Sequence, residues 1–93
     1  MAIEANVAVP LVKEGLGITN NARDNFITSI VKGVIKELED EKGIVLDESN
    51  DSHLLFVVDY SIWRYKSRDS EGSLPRHLQF RLHNLIIHAP GVV

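Results

Sequence analysis

Ninety-three residues make one domain and not two, and folding at this size buries only about 60–65% of the unfolded chain's surface, leaving a thin core. The composition, 44% hydrophobic and 25% charged, is that of an ordinary soluble globular chain, and no apolar run approaches the roughly 18 residues needed to cross a bilayer. Zero Cys excludes disulfides and thiol chemistry, and the net charge of −3 is uneven: residues 1–51 carry −5 and residues 52–93 carry +2. Opposite charge on two halves fits either two independently solvated surfaces or an acidic patch on one subunit that meets a basic patch on the next.

Met1-Ala2-Ile3-Glu4-Ala5-Asn6 lacks the basic start and long apolar stretch of a secretory signal. Residues 1–9 show no reliable periodicity and are expected to form a flexible arm. Pro10 suits the first turn of a short helix, with Leu11, Val12 and Leu16 on its apolar face and Gly15 or Gly17 ending it. Thr19, Asn20 and Asn21 are candidate caps for the next helix, and Asp24 suits its positive end. There Ala22, Phe26, Ile27, Ile30, Val31, Val34, Ile35 and Leu38 repeat at three-four spacing, the clearest amphipathic pattern in the chain. It runs through the acidic stretch Glu37–Lys42 to Gly43, a suitable C-terminal stop. Consecutive acids on a helix point around it and do not converge on a cation, so Glu37, Glu39, Asp40 and Glu41 read as a solvated end.

Ile44-Val45-Leu46 reads as a linker capping the bundle end, and residues 47–52 offer polar caps for the helix that follows. That helix, ending near Arg68, is apolar on two sides. Leu54, Leu55, Val58, Ile62 and Tyr65 share one face; Phe56, Tyr60 and Trp63 share the opposite one. Such a helix is central to a bundle or covered partly by another chain. After a polar break at 67–73, Ser73 is a cap and Pro75 falls in the first turn of the last helix. Leu74, Leu78, Leu82, Leu85 and Ile86 form its buried face, with Phe80 and Ile87 on a second stripe. The predicted fold is an all-α single domain spanning 1–93: a small bundle of three main helices plus a short N-terminal helix, with a tail at 89–93. Phe56, Tyr60, Trp63, Phe80 and Ile87 are the candidate subunit-interface residues.

No catalytic or metal motif emerges. There is no P-loop, no dinucleotide fingerprint and no nucleophile elbow. His77, His83 and His88 do not share one helical face, so no catalytic residue, metal ligand or cofactor is expected. Asp59 and Arg81 both lie by apolar stripes, where an unpaired charge is costly. Asp59 is therefore expected to pair with Arg81 or Arg64 and fix the register of the two helices, unless Arg81 reaches water from the stripe's edge. Lys66, Arg68 and Arg76, with Arg64, form a basic surface around the 69–73 loop. It is a miniature of a nucleic-acid surface, but the last helix shows too little polar surface for a recognition helix.

The stretch Asp59-Tyr60, Arg64-Tyr65 and Arg68-Asp69, followed by Leu74-Pro75-Arg76-His77-Leu78-Gln79-Phe80-Arg81-Leu82-His83-Asn84-Leu85, resembles the head–tail connector (adaptor) proteins of long-tailed phages and prophages. Val12-Lys13, Leu16-Gly17-Ile18-Thr19 and the helix from Asp24 also resemble that family's start. The likeness spans roughly residues 10–88. It implies a structural, non-enzymatic neck protein that forms a ring beneath the portal, extends the DNA channel and docks the tail or stopper protein. The implied partners are the portal, the tail or stopper, sister copies (a dodecamer on the portal, with monomers in solution) and genomic DNA passing without sequence specificity, with no membrane involved. The implied location is the virion neck, after assembly in the host cytoplasm. The alternative is a small helical DNA-binding regulator of phage or prophage origin, or a generic helical module such as a tail-completion factor.

Overall fold

A computed structural model describes residues 3–47, 49–67 and 74–87. It is all-α, with four helices: α1 (Ala5–Leu16), α2 (Asp24–Lys36), α3 (Asp51–Lys66) and α4 (Arg76–Ile87). A π-helical turn, Glu37–Glu41, extends α2, and no strand occurs among the described residues. Among the described residues α1, α2 and α3 pack mutually, while α4 packs on α3 alone.

The N-terminal helix departs from expectation. It begins at Ala5 and not near Pro10, and at 12 residues it equals α4 in length. Ile3 and Ala8 are buried in the core, so this stretch is no loose arm. Small apolar residues give weak periodicity, and contact with α2 and α3 decides the conformation instead. Pro10 sits inside α1, where it withholds an N–H from the Asn6 carbonyl; both residues are exposed, so water can serve that carbonyl.

α2 follows most of its predicted face: Ile27, Val31, Val34 and Leu38 are all fully buried, whereas Phe26 is 43% exposed and Ala22 lies exposed ahead of the helix. Its cap position is Arg23, with no side-chain cap, and not one of the three residues Thr19, Asn20 or Asn21. Asn20 instead accepts the Ala22 N–H, and Lys13 bridges Asp24 Oδ1 at 2.7 Å and Asn21 Oδ1 at 3.1 Å, joining the end of α1 to the start of α2. The π-turn is marked by the Lys42 N–H donating to the Glu37 carbonyl at 3.1 Å. Gly43, at φ +68°, then takes the left-handed conformation expected of the stop. Ile44 and Leu46 turn back into the core, as the linker reading expects, while Val45 between them is exposed.

Asn50 caps α3 by accepting from the Ser52 and His53 N–H groups. Asp47 N–H donates to His53 Nδ1 at 3.1 Å, which ties the linker to the first turn. α3 is the central element, and its apolar flanks are largely covered by the chain's own helices, with Leu55 left 54% exposed. Phe56, Val57, Val58 and Tyr60 are buried, and Ile62, Trp63 and Tyr65 are partly buried against the core. Gly15 of α1 approaches α3 so closely that a Cβ there would lie 2.6 Å from Ile62 Cδ1. In α4, Leu78 is buried and Leu74, Leu82, Leu85 and Ile86 pack partly against the core, as predicted. Pro75 lies one residue before the helix, where its carbonyl accepts from Leu78 and Gln79; Ser73 lies outside the described residues.

Candidate functional site

Two arrangements stand out, one half-buried and one exposed. The first joins the π-turn to α3. Tyr60 Oη donates to Glu37 Oε2 at 2.5 Å, and Arg64 Nη2 donates to Glu37 Oε1 at 2.9 Å and to Tyr60 Oη at 3.2 Å. The Arg64 guanidinium also lies over the Tyr60 ring, 5.1 Å from its centre. Tyr60 in turn meets Phe56 and Trp63 edge to face, at 5.7 and 5.8 Å.

Electrostatics follow from this packing. Desolvation pushes the Glu37 carboxyl up, but the hydrogen bonds from Tyr60 and Arg64, with the Arg64 charge, outweigh it and hold the group below its ordinary value. Tyr60 moves the other way, to about 12, because burial and its bond to Glu37 both disfavour the phenolate. Desolvation works against the Arg64 cation too, yet Glu37 overcomes it and raises that group. Glu37 and Tyr60 are thus driven away from neutrality, where an acid–base catalyst needs to sit. The cluster is built to hold the π-turn against α3. Sequence reasoning makes Glu37 a solvated acid; its partner lies 23 residues away, a distance that no local pattern reveals.

The charged pair expected between the last two helices is Asp59–Arg81, with Arg81 Nη1 2.6 Å from Asp59 Oδ2. Arg64 is committed to Glu37 and plays no part in it. The Arg81 guanidinium also lies 5.3 Å from the centre of the Phe56 ring. Both side chains stay well exposed, at 37% and 45%, so the pair orients α4 more than it stabilises it.

The second arrangement is the outward face of α4. Phe80 is 63% exposed, and Arg76, Gln79 and His83 surround it in a shallow depression. His77 and Asn84 are exposed as well, so this helix displays more polar, base-reading side chains than the sequence suggested. Of the five candidate interface residues, Phe56 and Tyr60 belong to the chain's own core, where Arg81 of α4 meets Phe56 and Glu37 of the π-turn meets Tyr60 in place of the sister copy expected. Trp63 is partly buried, Phe80 remains open, and the Ile87 side chain lies outside the described residues. Of the basic surface, Lys66 and Arg76 are exposed, Arg64 is neutralised by Glu37, and Arg68 lies outside the described residues.

Among the described residues no three His, Asp or Glu side chains converge on a cation site, and no helix is long and apolar enough to cross a membrane. His53 is engaged with the linker, His77 and His83 are exposed on α4, and His88 lies outside the described residues. Compared with known proteins, the chain matches no family model, no curated protein and no solved structure.

Proposed function

We propose that this chain is a non-enzymatic helical adaptor that works by docking to other proteins, and that it serves as a head–tail connector at the neck of a phage or prophage particle. The observation that carries the reading is Phe80: a large aromatic, 63% exposed, on a helix that among the described residues packs against one neighbouring helix. Isolated exposed apolar residues are common, but this one is ringed by Arg76, Gln79 and His83, the mixture of aromatic anchor and polar rim that protein interfaces favour. The segment resembling connector proteins is the α3–α4 pair that displays it, and two of its quoted positions, Asp59 and Arg81, meet there. On this reading the partners are the portal, the tail or stopper protein and sister copies, with genomic DNA passing through the bore unread. The protein works in the virion neck and is made in the host cytoplasm.

The test is to mix the purified chain with the portal protein of the same phage or prophage and examine the product by electron microscopy. A ring of added density below the portal is expected, and Phe80→Glu should remove it; a bare portal at high excess of the chain sinks the reading.

The second reading, a small DNA-binding regulator, draws on the exposed Arg76, Gln79, His83 and Asn84 of α4. Fluorescence anisotropy with labelled duplexes separates the two. A regulator binds one sequence far better than others and weakens steeply with salt. A connector shows neither behaviour.

A further inference from the structure

Among the four helices α4 alone carries basic side chains and no acid: Arg76, His77, Arg81 and His83, in a chain whose net charge is −3. Its two arginines differ in employment. Arg81 pairs with Asp59 on the flank toward α3, whereas Arg76 forms no ion pair among the described residues. Arg76 also stands in the first turn, which holds no acid. A cation there works against the helix dipole, so α4 keeps it at some expense to its own stability.

Arg76, Phe80 and His83 follow one another at steps of four and three, which puts them on one side of α4, and all three are exposed. Leu78 points the opposite way and is 2% exposed. With Gln79, whose Nε2 donates to the Leu74 carbonyl at 2.6 Å, the three line an open depression of about 400 Å³. The means of covering this face are few. A helix has no free backbone edge along its length, and no strand occurs among the described residues, so a partner cannot dock by adding a strand. A stripe at helical spacing takes a second helix laid along it, side chains between side chains. At 1.5 Å per residue the 12 residues of α4 offer a seam of roughly 18 Å.

We infer, resting on the docking role proposed above, that the outward face of α4 receives an acidic amphipathic helix of another protein. An apolar side chain of that helix packs on Phe80, and its carboxylates meet Arg76 and the positive first turn. Phe80 supplies the anchor, while Arg76 sets the direction of docking and makes it sensitive to salt. A nucleic acid suits the face less well. A polyanion would run past α4 onto a chain with 13 acids against 10 Lys and Arg, whereas a short acidic helix ends with the seam.

Three labelled, side-chain-stapled helical peptides test this against the full chain by fluorescence anisotropy. One has a Leu stripe with Glu elsewhere, one the same stripe with Lys, and one Glu with Ser in place of the stripe. The Leu–Glu peptide should bind at least about tenfold more tightly than either of the others, and added salt should weaken it. Phe80→Ala should weaken that binding by about thirtyfold, the loss expected of an anchoring aromatic. Arg76→Glu should erase the preference for Glu over Lys. Both positions are exposed, and circular dichroism verifies that each variant is folded. In the nitrogen-15-labelled chain, amide shifts caused by the peptide should centre on residues 76–83. Equal binding of the Glu and Lys peptides, binding indifferent to Phe80→Ala, or no binding at all overturns the acidic partner. Self-association of the chain that displaces the peptide also overturns it and gives the face to a second copy; a DNA duplex that outcompetes the peptide gives it to nucleic acid. A portal-bound ring without peptide binding refutes the acidic helix and spares the connector reading, whereas peptide binding without a ring refutes the connector reading alone.

Discussion

Glu37→Gln removes one charge from a cluster in which both carboxylate oxygens are in use, Oε2 by Tyr60 at 2.5 Å and Oε1 by Arg64 at 2.9 Å. A hydrogen bond to a charged group contributes roughly 1.5–3 kcal/mol when well shielded. The Glu37 side chain is 20% exposed and that of Arg64 is 35% exposed, so solvent reduces the Arg64 component to roughly the 1 kcal/mol of a partly exposed pair. The amide still accepts from Tyr60 but can turn an NH₂ group toward Arg64, setting donor against donor. The expected net loss is about 2 kcal/mol, which in a chain of this length lowers Tm by roughly 8–16 °C. Urea denaturation of the native chain, Glu37→Gln, Tyr60→Phe and the double variant measures the link directly, with a coupling of about 1 kcal/mol expected between the two positions. Single effects that add to within about 0.3 kcal/mol would show that the groups are neighbours without energetic connection. The clamp between the π-turn and α3 would then be refuted.

Further outcomes follow from particular side chains. Because Glu37 titrates lower in the folded chain than its ordinary value of 4.5, its stabilisation is complete above that value and is lost as pH falls through the folded one. Glu37→Gln should therefore show a shallower loss of urea resistance on acidification. Tyr60 has the opposite sign: its contribution is complete below the ordinary value of 10.0 and disappears as pH rises toward about 12. Absorbance at 295 nm should show a late-ionising phenol that Tyr60→Phe removes, and a titration unaltered by that substitution would contradict the buried bond to Glu37. Asp59→Ala should cost only about 0.5 kcal/mol, since both partners are well exposed, while accelerating amide exchange in α4 relative to α1 and α2. Gly33→Ala, in α2 with open space around the added methyl, should stabilise by about 0.5–1 kcal/mol by thermal melting, and a drop in Tm would mean that the site is more crowded than the structure has it.

The fold is legible in the sequence wherever one local pattern suffices. The three-four spacing of Ile27, Val31, Val34 and Leu38 locates α2 and its buried face, and Gly43 marks the end. Leu78 and its neighbours give the inner face of α4, and a charge stranded beside apolar stripes points to a pair for Asp59 with Arg81 or Arg64, between which the structure selects Arg81. What escapes local reading depends on contacts between distant parts of the chain. Ile3 and Ala8 look featureless in sequence yet are buried, and the helix that carries Ala8 packs on α2 and α3. The two apolar sides of α3 do need cover, but periodicity does not say whether a neighbouring helix or a neighbouring molecule supplies it. Pattern alone therefore sends Phe56 and Tyr60 to a subunit interface, where the chain's own packing already encloses them. Glu37 is hidden for a related reason: within a run of acids, nothing marks the one that faces inward.

The wide turn at Glu37–Glu41 also bears on how this chain tolerates changes in length. A π-turn is what a helix forms when it accommodates one surplus residue, so the slack is localised there. Losing Asp40 or Glu41, both exposed, would tighten the turn and leave the preceding helix facing as it does. Losing one residue from the middle of α2 would instead swing everything after it by about 100°, carrying Val34 and Leu38 off the interior. Insertions and deletions among variants of this sequence belong in that acidic turn, and the 13 residues of α2 before it should keep a constant count.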